Sequence, residues 1–340
     1  MVVSVLILSS PKDEHAQAVS GHLVEMGVRA AFWSFRQLGG GCRLRFNLDG
    51  SGLACRVQFA EKGLPDAGTG DLDLSGARSV WFRRPGAVAT ARLAEPWVES
   101  LAQWESSRAL QAILRMLPCL WVNSPAAHAE ALFKIRQLEV ARQCGLSVPE
   151  TLVTNDPQAV RDFYEQCAGQ LIYKLIDEGS QHRLPVFERS AGIPTLSLRQ
   201  ADLEYLDQVR YSLHLFQRKI EKAADLRVTV VGKQLFAVEI RSQEGQGSTD
   251  FRLDYTVPML EHRLPERVES SCFELARRLG LNFGAIDLCR DGAGEYFFFE
   301  INPAGQWLWM ERALDLPISL SLARLLAGLE EPLVAGPWRP

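Results

Sequence analysis

Two carboxylates and one amide near the C-terminus have the residue types and the spacing of a metal site. Asp287 belongs to one apolar run, 283–290, and Glu300 and Asn302 belong to the next, 295–302. The segment Asp-Gly-Ala-Gly between the two runs is typical of a hairpin turn. Because side chains alternate along a strand, the three polar side chains are expected on one face of this hairpin.

The pairing of the two strands sets the distance between the two acids. We predict a register in which Arg290 faces Glu295. Asp287 then faces Phe298 and lies diagonally across from Glu300, where two carboxylates can share a cation. Ligands that are all oxygen suit magnesium better than zinc, and a magnesium site built mainly from carboxylates usually also holds substrate phosphates.

An edge hairpin with a solvated charged face would carry the same residues. Glu300, however, follows Phe297-Phe298-Phe299 and precedes Ile301, so its strand is strongly apolar. A carboxylate in such a strand needs a partner or an ion. A metal site is therefore the interpretation that we favour.

The composition is that of a soluble globular protein. With 340 residues, 47% hydrophobic and 23% charged, the chain can bury the cores of two or three domains. The net charge of -4 gives no general attraction to nucleic acid or to an anionic membrane. Seven cysteines without a CxxC pair indicate reduced thiols in a cytoplasmic protein. No apolar run approaches the length of a membrane span.

The order of elements predicts an α/β fold. A strand from Val2 to Leu8, a helix from Asp13 to Met26 and a strand from Ala30 to Phe35 form an opening βαβ unit. No GxGxxG motif follows the first strand, which argues against a dinucleotide-binding fold. Further hairpins are expected at Asp49-Gly50 and at Gly232-Lys233.

Two helices and the C-terminal tail complete the outline. The first helix covers Glu95 to Leu117, and five of its side chains are expected to form one buried face: Trp97, Leu101, Trp104, Arg108 and Ile113. The second runs without a break from Ala126 to Gly145, where glycine ends it. The last residues, Glu330 to Pro340, are expected to be a loose tail.

Basic residues in apolar segments are the candidates for binding anions. Lys174 is centred in the apolar run 170–176 and needs an anionic partner, so it is a phosphate candidate. Lys134 lies beside an apolar helical stripe, where a lysine more often lays its aliphatic stem along the apolar surface and extends its ammonium group to water. Arg227 and Arg241 could face an anionic pocket, although a solvated sheet face would give the same residues. Arg83-Arg84 ends a strand and could clamp an anion or simply be solvated.

Together these residues resemble the ATP-grasp ligases. Within that superfamily the chain looks like the peptide maturases of the microviridin type, the graspetide synthetases, over residues 2 to 328. Four segments carry the resemblance: VWFRRP, GLSVPETLVTN, DLRVTVVGKQLFAVEI and FEINPAGQWLW. The resemblance implies an α/β ATP-grasp fold with an N-terminal pre-ATP-grasp domain. The implied divisions are an N-terminal pre-ATP-grasp domain (1–122), a central subdomain (123–212), a C-terminal subdomain with the metal site (213–330) and a tail (331–340).

The resemblance also implies roles for individual residues. Lys134 and Lys174 would hold ATP phosphates, and the backbone of the segment Gln217, Arg218, Lys219 and Ile220 would contact adenine, with Glu221 on the ribose. Magnesium would be held by Asp287, Glu300 and Asn302. The transferred phosphoryl group or acyl phosphate would face Arg227, Arg241 and Arg252. The segment after Lys174 has fewer glycines than in many relatives, so no phosphate contacts are assigned to it.

The activity implied is that of an ATP-dependent carboxylate ligase that uses ATP and magnesium. An Asp or Glu side chain of a ribosomally made precursor peptide, with leader and core, would be phosphorylated and then attacked by a Thr, Ser or Lys side chain. Two alternatives stay open: a ligase that adds glutamate or another amino acid, and a nucleotide-binding module without catalysis. The family further implies a homodimer. From position and charge, Arg83-Arg84 and the loop from Ser242 to Asp250 could contact the leader.

Overall fold

A computed structural model describes residues 4–50, 52–59, 71–176, 195–245, 251 and 256–336. Arg252 and the segment that follows Lys174 beyond residue 176 lie outside these residues, as does 246–250 of the loop proposed to contact the leader. All seven cysteines are described, and their thiols are free. Within the described residues, no helix is long and apolar enough to cross a membrane.

The strands, in chain order, are β1 (Val5–Leu8), β2 (Ala30–Trp33), β3 (Cys42–Asp49), β4 (Gly52–Phe59), β5 (Leu72–Asp73), β6 (Ser79–Phe82), β7 (Leu120–Val122), β8 (Thr151–Thr154), β9 (Leu171–Lys174), β10 (Leu196–Ser197), β11 (His214–Arg218), β12 (Lys222–Val231), β13 (Gln234–Ile240), β14 (Met259–Glu261), β15 (Phe283–Asp291) and β16 (Tyr296–Asn302). The helices are α1 (Glu14–Glu25), α2 (Pro96–Arg115), α3 (Pro125–Glu130), α4 (Lys134–Gln143), α5 (Pro157–Gln166), α6 (Glu266–Arg278), α7 (Leu308–Leu314) and α8 (Ile318–Ala327). The predicted α/β fold is confirmed.

These strands form three main sheets and one small one. The N-terminal sheet is parallel, with the order β2-β1-β6-β7. The central sheet, β10-β9-β11-β8, and the C-terminal sheet, β14-β13-β12-β15-β16, are antiparallel. The small sheet β3-β4-β5 contains the predicted Asp49-Gly50 hairpin, and β12 and β13 form the predicted Gly232-Lys233 hairpin.

The N-terminal and C-terminal sheets share one hydrophobic core. Ile7 of β1, Phe283 of β15 and Leu322 of α8 belong to the same buried cluster. Asn123, which follows β7, fastens the two sheets because its amide oxygen accepts the backbone N–H groups of Asn282 and Phe283. The division of the chain at residue 122 remains a prediction, and this shared core means that any such domains are not independent.

The helix between residues 126 and 145 is not continuous, contrary to our prediction. The chain breaks into α3 and α4 at residues 131–133, and the side chains of Leu132 and Phe133 are exposed. Lys134 is therefore the first residue of a new helix. The side-chain amide of Gln137 donates to the Ala131 carbonyl and so connects α4 to the residues between the two helices.

The predicted buried face of α2 is wrong except at Ile113. Trp97 and Trp104 are 67% and 64% exposed, and Leu101 is exposed as well. Ile113 is buried as predicted, and the rest of the buried side consists of Leu110 and Leu114. The spacing identified an apolar stripe, but it did not show that only the last turns of the helix reach the sheet.

The C-terminal tail is less loose than predicted. The side chain of Asn282 donates to the Val334 carbonyl and accepts the Val334 N–H, which fixes the backbone there. Leu333 packs against the core beneath the C-terminal sheet. The buried Asn282 amide therefore needs the tail as its partner.

Candidate active site

The hairpin of β15 and β16 brings the two predicted metal ligands closer together than expected. Asp287 lies directly opposite Glu300, so the predicted pairing of Asp287 with Phe298 is wrong. Two shifts of one residue cause the difference. Arg290 pairs with Tyr296 and not with Glu295 as predicted, and Phe299 is an extra residue, a bulge, between two regular pairs. Directly paired residues of antiparallel strands share a face, so the two carboxylates do lie on one face, as predicted.

Each carboxylate already has a cation against it. Arg227 of β12 lies opposite Asp287, and its Nη1 is 2.6 Å from Asp287 Oδ1. Lys134 Nζ is 3.2 Å from Glu300 Oε2. These side chains are mostly buried, and charged groups so placed need such partners. Two further sequence candidates, Arg227 and Lys134, thus reach the two acids of the hairpin from other parts of the chain.

Lys134 reaches the hairpin because α4 packs against β16. Gln137, one turn further along α4, accepts the Ile301 N–H and donates to the Ile301 carbonyl, which locks the helix onto the strand that carries Glu300. The side chain of Lys134 is only 15% exposed. It therefore does not extend to water, and the interpretation of Lys134 as an ordinary surface lysine is wrong.

Lys174 approaches the same region from the central sheet. It is the last residue of β9 rather than its centre, and it is half-buried. Its ammonium lies over the ring of Phe299, 4.6 Å from the ring centroid. The bulged residue of β16 is therefore a contact between the metal-site hairpin and the second predicted phosphate ligand.

Lys222 is a charged residue of this face that sequence reasoning missed. Its Nζ donates to both carboxylate oxygens of Asp225, at 2.9 and 2.8 Å. Asp225 precedes Arg227 by two residues in β12, so it lies on the same face. The segment 221–225 shows no apolar alternation, so nothing in its pattern marks Lys222 as a strand residue.

The third predicted metal ligand, Asn302, ends β16 opposite Ala285. Its Oδ1 accepts the Ala304 N–H at 2.9 Å. Among the described residues, no three His, Cys, Asp or Glu side chains converge as a metal cluster, so the amide oxygen of Asn302 would be the third donor. A carbonyl oxygen has a second lone pair. The donors are all hard oxygens and fit magnesium, and the assignment of Asp287, Glu300 and Asn302 remains a prediction.

The segment predicted to contact adenine lies at the end of β11. Gln217 and Arg218 are paired with β9, and the Lys219 N–H donates to the Gln170 carbonyl. Backbone contacts with a nucleotide base are therefore expected chiefly from Ile220 and Glu221, which follow the strand. Glu221 is exposed, as a contact with ribose would require.

Arg241 is not brought to Arg227 by any contact of the described residues. It follows β13, its side chain is exposed, and its Nη1 is 3.5 Å from Glu244 Oε1. Its role toward a phosphoryl group remains a prediction, as does that of Arg252.

Arg83 connects the N-terminal sheet to the loop after β16. Its Nη1 donates to the carbonyls of Ala304 and Gly305, and its guanidinium stacks over Trp307. The side chain is 1% exposed, so the proposal that Arg83 contacts a leader peptide is wrong. Burial lowers the pKa of Arg83 to about 10, while Asp13 opposes this shift, and the group stays charged at neutral pH.

His15 supports the same loop from α1. Asp13 caps the helix, and His15 Nε2 accepts the Trp307 N–H at 3.1 Å. Burial, and next the charge of Arg83, lowers the pKa of His15 to about 3. The Nε2 atom can accept a backbone N–H only while it carries no proton of its own. The lowered pKa therefore agrees with this hydrogen bond, because it keeps the ring neutral.

Acidification is expected to destabilise the chain through His15. The pKa is lowered from 6.5 to about 3 on folding, so the unfolded chain binds the additional proton as the pH falls through this window. The free energy of unfolding should fall by about 1 kcal/mol per pH unit below the unfolded pKa from this group alone. Urea unfolding at several pH values tests this, and His15→Gln should reduce the slope. An unchanged slope in the variant would contradict the assignment.

Solved structures of peptide macrocyclases are similar to the chain over nearly its whole length. Macrocyclase MdnC from Microcystis aeruginosa MRC, bound with precursor peptide MdnA, is 27% identical with a TM-score of 0.81, covering 96% of this chain and 100% of that one. Macrocyclase MdnB from the same organism is 28% identical with a TM-score of 0.75, covering 96% and 98%. A RiPP-associated ATP-grasp ligase from Chryseobacterium gregarium, in complex with ADP and a leader and core peptide, shares the fold at 24% identity with a TM-score of 0.86, covering 98% of each chain.

Curated proteins give a second, shorter similarity. The ribosomal protein bS6–L-glutamate ligase of Escherichia fergusonii is 26% identical over 223 residues, which are 62% of this chain and 68% of that protein. No family model matches the chain. The chain is therefore an ATP-grasp ligase that is similar over nearly its whole length to the peptide macrocyclases.

Proposed function

We propose that this protein is an ATP-dependent ligase that closes ester or amide macrocycles in a ribosomally made precursor peptide. The observation that carries the proposal is the similarity to macrocyclase MdnC over the whole of that chain, at 27% identity. The glutamate ligases are similar over a smaller share of this chain, 62%. The face that carries Asp287, Glu300 and Arg227 supports a reaction between charged phosphates and carboxylates.

The chemistry begins with an unreactive carboxylate. An Asp or Glu side chain of the peptide attacks the γ-phosphoryl group of ATP, which gives an acyl phosphate and ADP. A Thr or Ser hydroxyl, or a Lys amine, of the same peptide then attacks the acyl carbon. The new C–O or C–N bond forms as phosphate leaves, the nucleophile loses its proton, and the peptide is lighter by one water.

The protein contributes charge and position to this reaction. Lys134 and Lys174 would bind the ATP phosphates, and Arg227 would stabilise the charge on the transferred group. Magnesium held by Asp287, Glu300 and Asn302 would neutralise phosphate charge. Holding both peptide side chains together makes the second step effectively intramolecular, so no protein nucleophile is needed.

The partner in this proposal is a precursor peptide with a leader and a core, and the enzyme is expected to act as a homodimer in the cytoplasm. Since Arg83 is buried, the predicted contact of the Arg83-Arg84 pair with the leader is not retained, and a contact with the leader is proposed only for the loop that begins at Ser242.

The intact mass of the precursor peptide encoded beside this gene tests the proposal. After incubation with the protein, ATP and magnesium, the peptide should lose the mass of one water for each ring, and ADP should be released in proportion. ATP omission is the control. A peptide that keeps its full mass while ADP is released would contradict macrocyclisation.

The second candidate is a ligase that adds glutamate or another amino acid, which the similarity to the bS6–L-glutamate ligases favours. The same mass measurement separates the two reactions, because addition increases the mass by one residue and ring closure decreases it. Incubation with and without free glutamate shows whether the amino acid is consumed.

A further inference from the structure

A cationic cavity lies at the edge of the N-terminal sheet, on the side of the domain that carries Arg83. Its volume is about 420 Å³. Three cations, three hydroxyls, one carboxylate and a glycine line it: Lys12, Arg36, Arg84, Ser9, Ser10, Ser34, Asp13 and Gly86. The lining residues follow the ends of three strands, since Ser9 comes after β1, Ser34 after β2 and Arg84 after β6.

The sheet topology places this cavity where α/β folds bind ligands. All four strands are parallel, so their carboxyl ends lie at one edge. From β1 the chain proceeds to β2 on one side, and β6 lies on the other side. The order therefore reverses beside β1, and the crevice outside the carboxyl ends of the strands at such a point is the usual ligand site of an open parallel sheet.

The charge of the cavity selects an anion. Among the described residues, Lys12, Arg36 and Arg84 form no ion pair with a carboxylate. The single carboxylate of the lining, Asp13, is already bound, because its Oδ2 is 3.4 Å from Arg83 Nε and its Oδ1 caps α1. The positive charge of the other three is therefore not balanced within the cavity. The planar fork of an arginine suits a carboxylate or a phosphate.

A short chain of contacts connects the cavity wall to the catalytic face. Asp13 contacts Arg83, whose Nη1 donates to the Gly305 carbonyl at 2.8 Å. Arg227 Nη2 donates to the next carbonyl of that loop, from Gln306, at 3.1 Å. Arg83, which contacts the cavity wall through Asp13, and Arg227 thus bind adjacent carbonyls of one loop, and this loop connects the cavity to the catalytic face.

We infer that this cavity binds a carboxylate side chain of the peptide substrate and so holds the core beside the catalytic face. The inference rests on the proposed function, which supplies a substrate that carries several Asp or Glu side chains. ATP phosphates are the other source of a suitable anion. Their predicted ligands, Lys134 and Lys174, lie at the hairpin of β15 and β16, so the carboxylate is the source that we assign.

The double variant Arg36→Gln/Arg84→Gln tests the inference. Both side chains are exposed, so the variant should fold as the wild type does. We expect KM for the precursor peptide to rise about tenfold, with kcat and KM for ATP little changed. The matched control is Arg29→Gln/Arg115→Gln, which removes the same charge from exposed positions that do not line the cavity.

A binding experiment assigns the effect to the carboxylates. The dissociation constant of a fluorescent precursor peptide is measured without ATP, for the native peptide and for one whose core Asp and Glu are replaced by Asn and Gln. The wild-type protein and the control should prefer the acidic peptide, and the Arg36→Gln/Arg84→Gln variant should lose this preference.

The outcomes separate this inference from the proposed function. If the wild type closes rings and the double variant keeps the wild-type KM and preference for the acidic peptide, the inference is wrong and the proposed function stands. A rise in KM for ATP instead would assign the cavity to a phosphate and would also overturn it. If the wild type itself removes no water from the peptide, the proposed function fails, and the carboxylate assignment fails with it.

Discussion

Glu300→Gln is expected to lower kcat for ring closure by about a hundredfold to a thousandfold. The substitution keeps the shape of the side chain and removes its charge. It thereby loses the ion pair with Lys134 and one of the two directly opposed carboxylates of the hairpin. The negative charge of the phosphoryl group must be neutralised while it is transferred. The rate of ADP release and the rate at which the peptide loses the mass of water should therefore fall together.

The control for this prediction is Glu295→Gln on the same hairpin. Glu295 is 57% exposed and only distantly paired with Arg267, so its charge should not matter to the reaction. Thermal unfolding of both variants shows whether the sheet is intact. A folded Glu300→Gln protein with the kcat of the wild type would remove Glu300 from the site.

The parts of the site that follow strand periodicity could be predicted from the sequence. Alternation predicts that Asp287 and Glu300 share a face, and they do, because the shift at the turn and the bulge at Phe299 together change the pairing by two residues, which is a full period of the strand. The meeting of Arg227 with Asp287 required the order of strands in the sheet, which the sequence alone did not provide. The resemblance to a known family implied only separate roles for the two residues, Asp287 toward magnesium and Arg227 toward the phosphoryl group.

The bulge at Phe299 could not be predicted, because nothing in the pattern of polar and apolar residues marks it. A bulge adds one residue to a strand, and it is visible in a sequence only when polar and apolar residues change phase. Residues 297–299 are three phenylalanines, so no change of phase marks the extra one. The direct pairing of Asp287 with Glu300, and the contact of Lys174 with the Phe299 ring, both depend on it.

The errors in helices have a related origin. The periodicity of 126–145 continues across residues 131–133 because Leu132, Phe133 and Ile135 are apolar, yet all three are exposed. In the same way, Trp97 and Trp104 extend the stripe of α2 beyond the part of the helix that reaches the sheet. Hydrophobic spacing shows which residues could be buried together, whereas the area available on the facing sheet decides which of them are.

Gly305→Ala is expected to lower the free energy of unfolding by about 3 kcal/mol or more and to reduce kcat. A Cβ at this position would lie 2.2 Å from Ala285 Cβ and 2.9 Å from Arg227 Nη2. Ala285 is fully buried in β15, so it cannot turn aside, and the loop after β16 must move instead. That movement would disturb Arg227, which donates to Gln306 in this loop and pairs with Asp287.

Two further variants make this prediction specific. Gly292→Ala adds the same methyl group in the turn of the β15–β16 hairpin, where nothing lies within 4 Å, and it should change neither stability nor kcat. Ala285→Gly combined with Gly305→Ala removes the closest conflict and should recover part of both losses, because the clash is between those two Cβ atoms. Denaturant unfolding and ADP release are measured for each variant. If the Gly305→Ala variant unfolded at the same denaturant concentration as the wild type and kept its activity, the close packing of this loop against β15 would not be what positions Arg227.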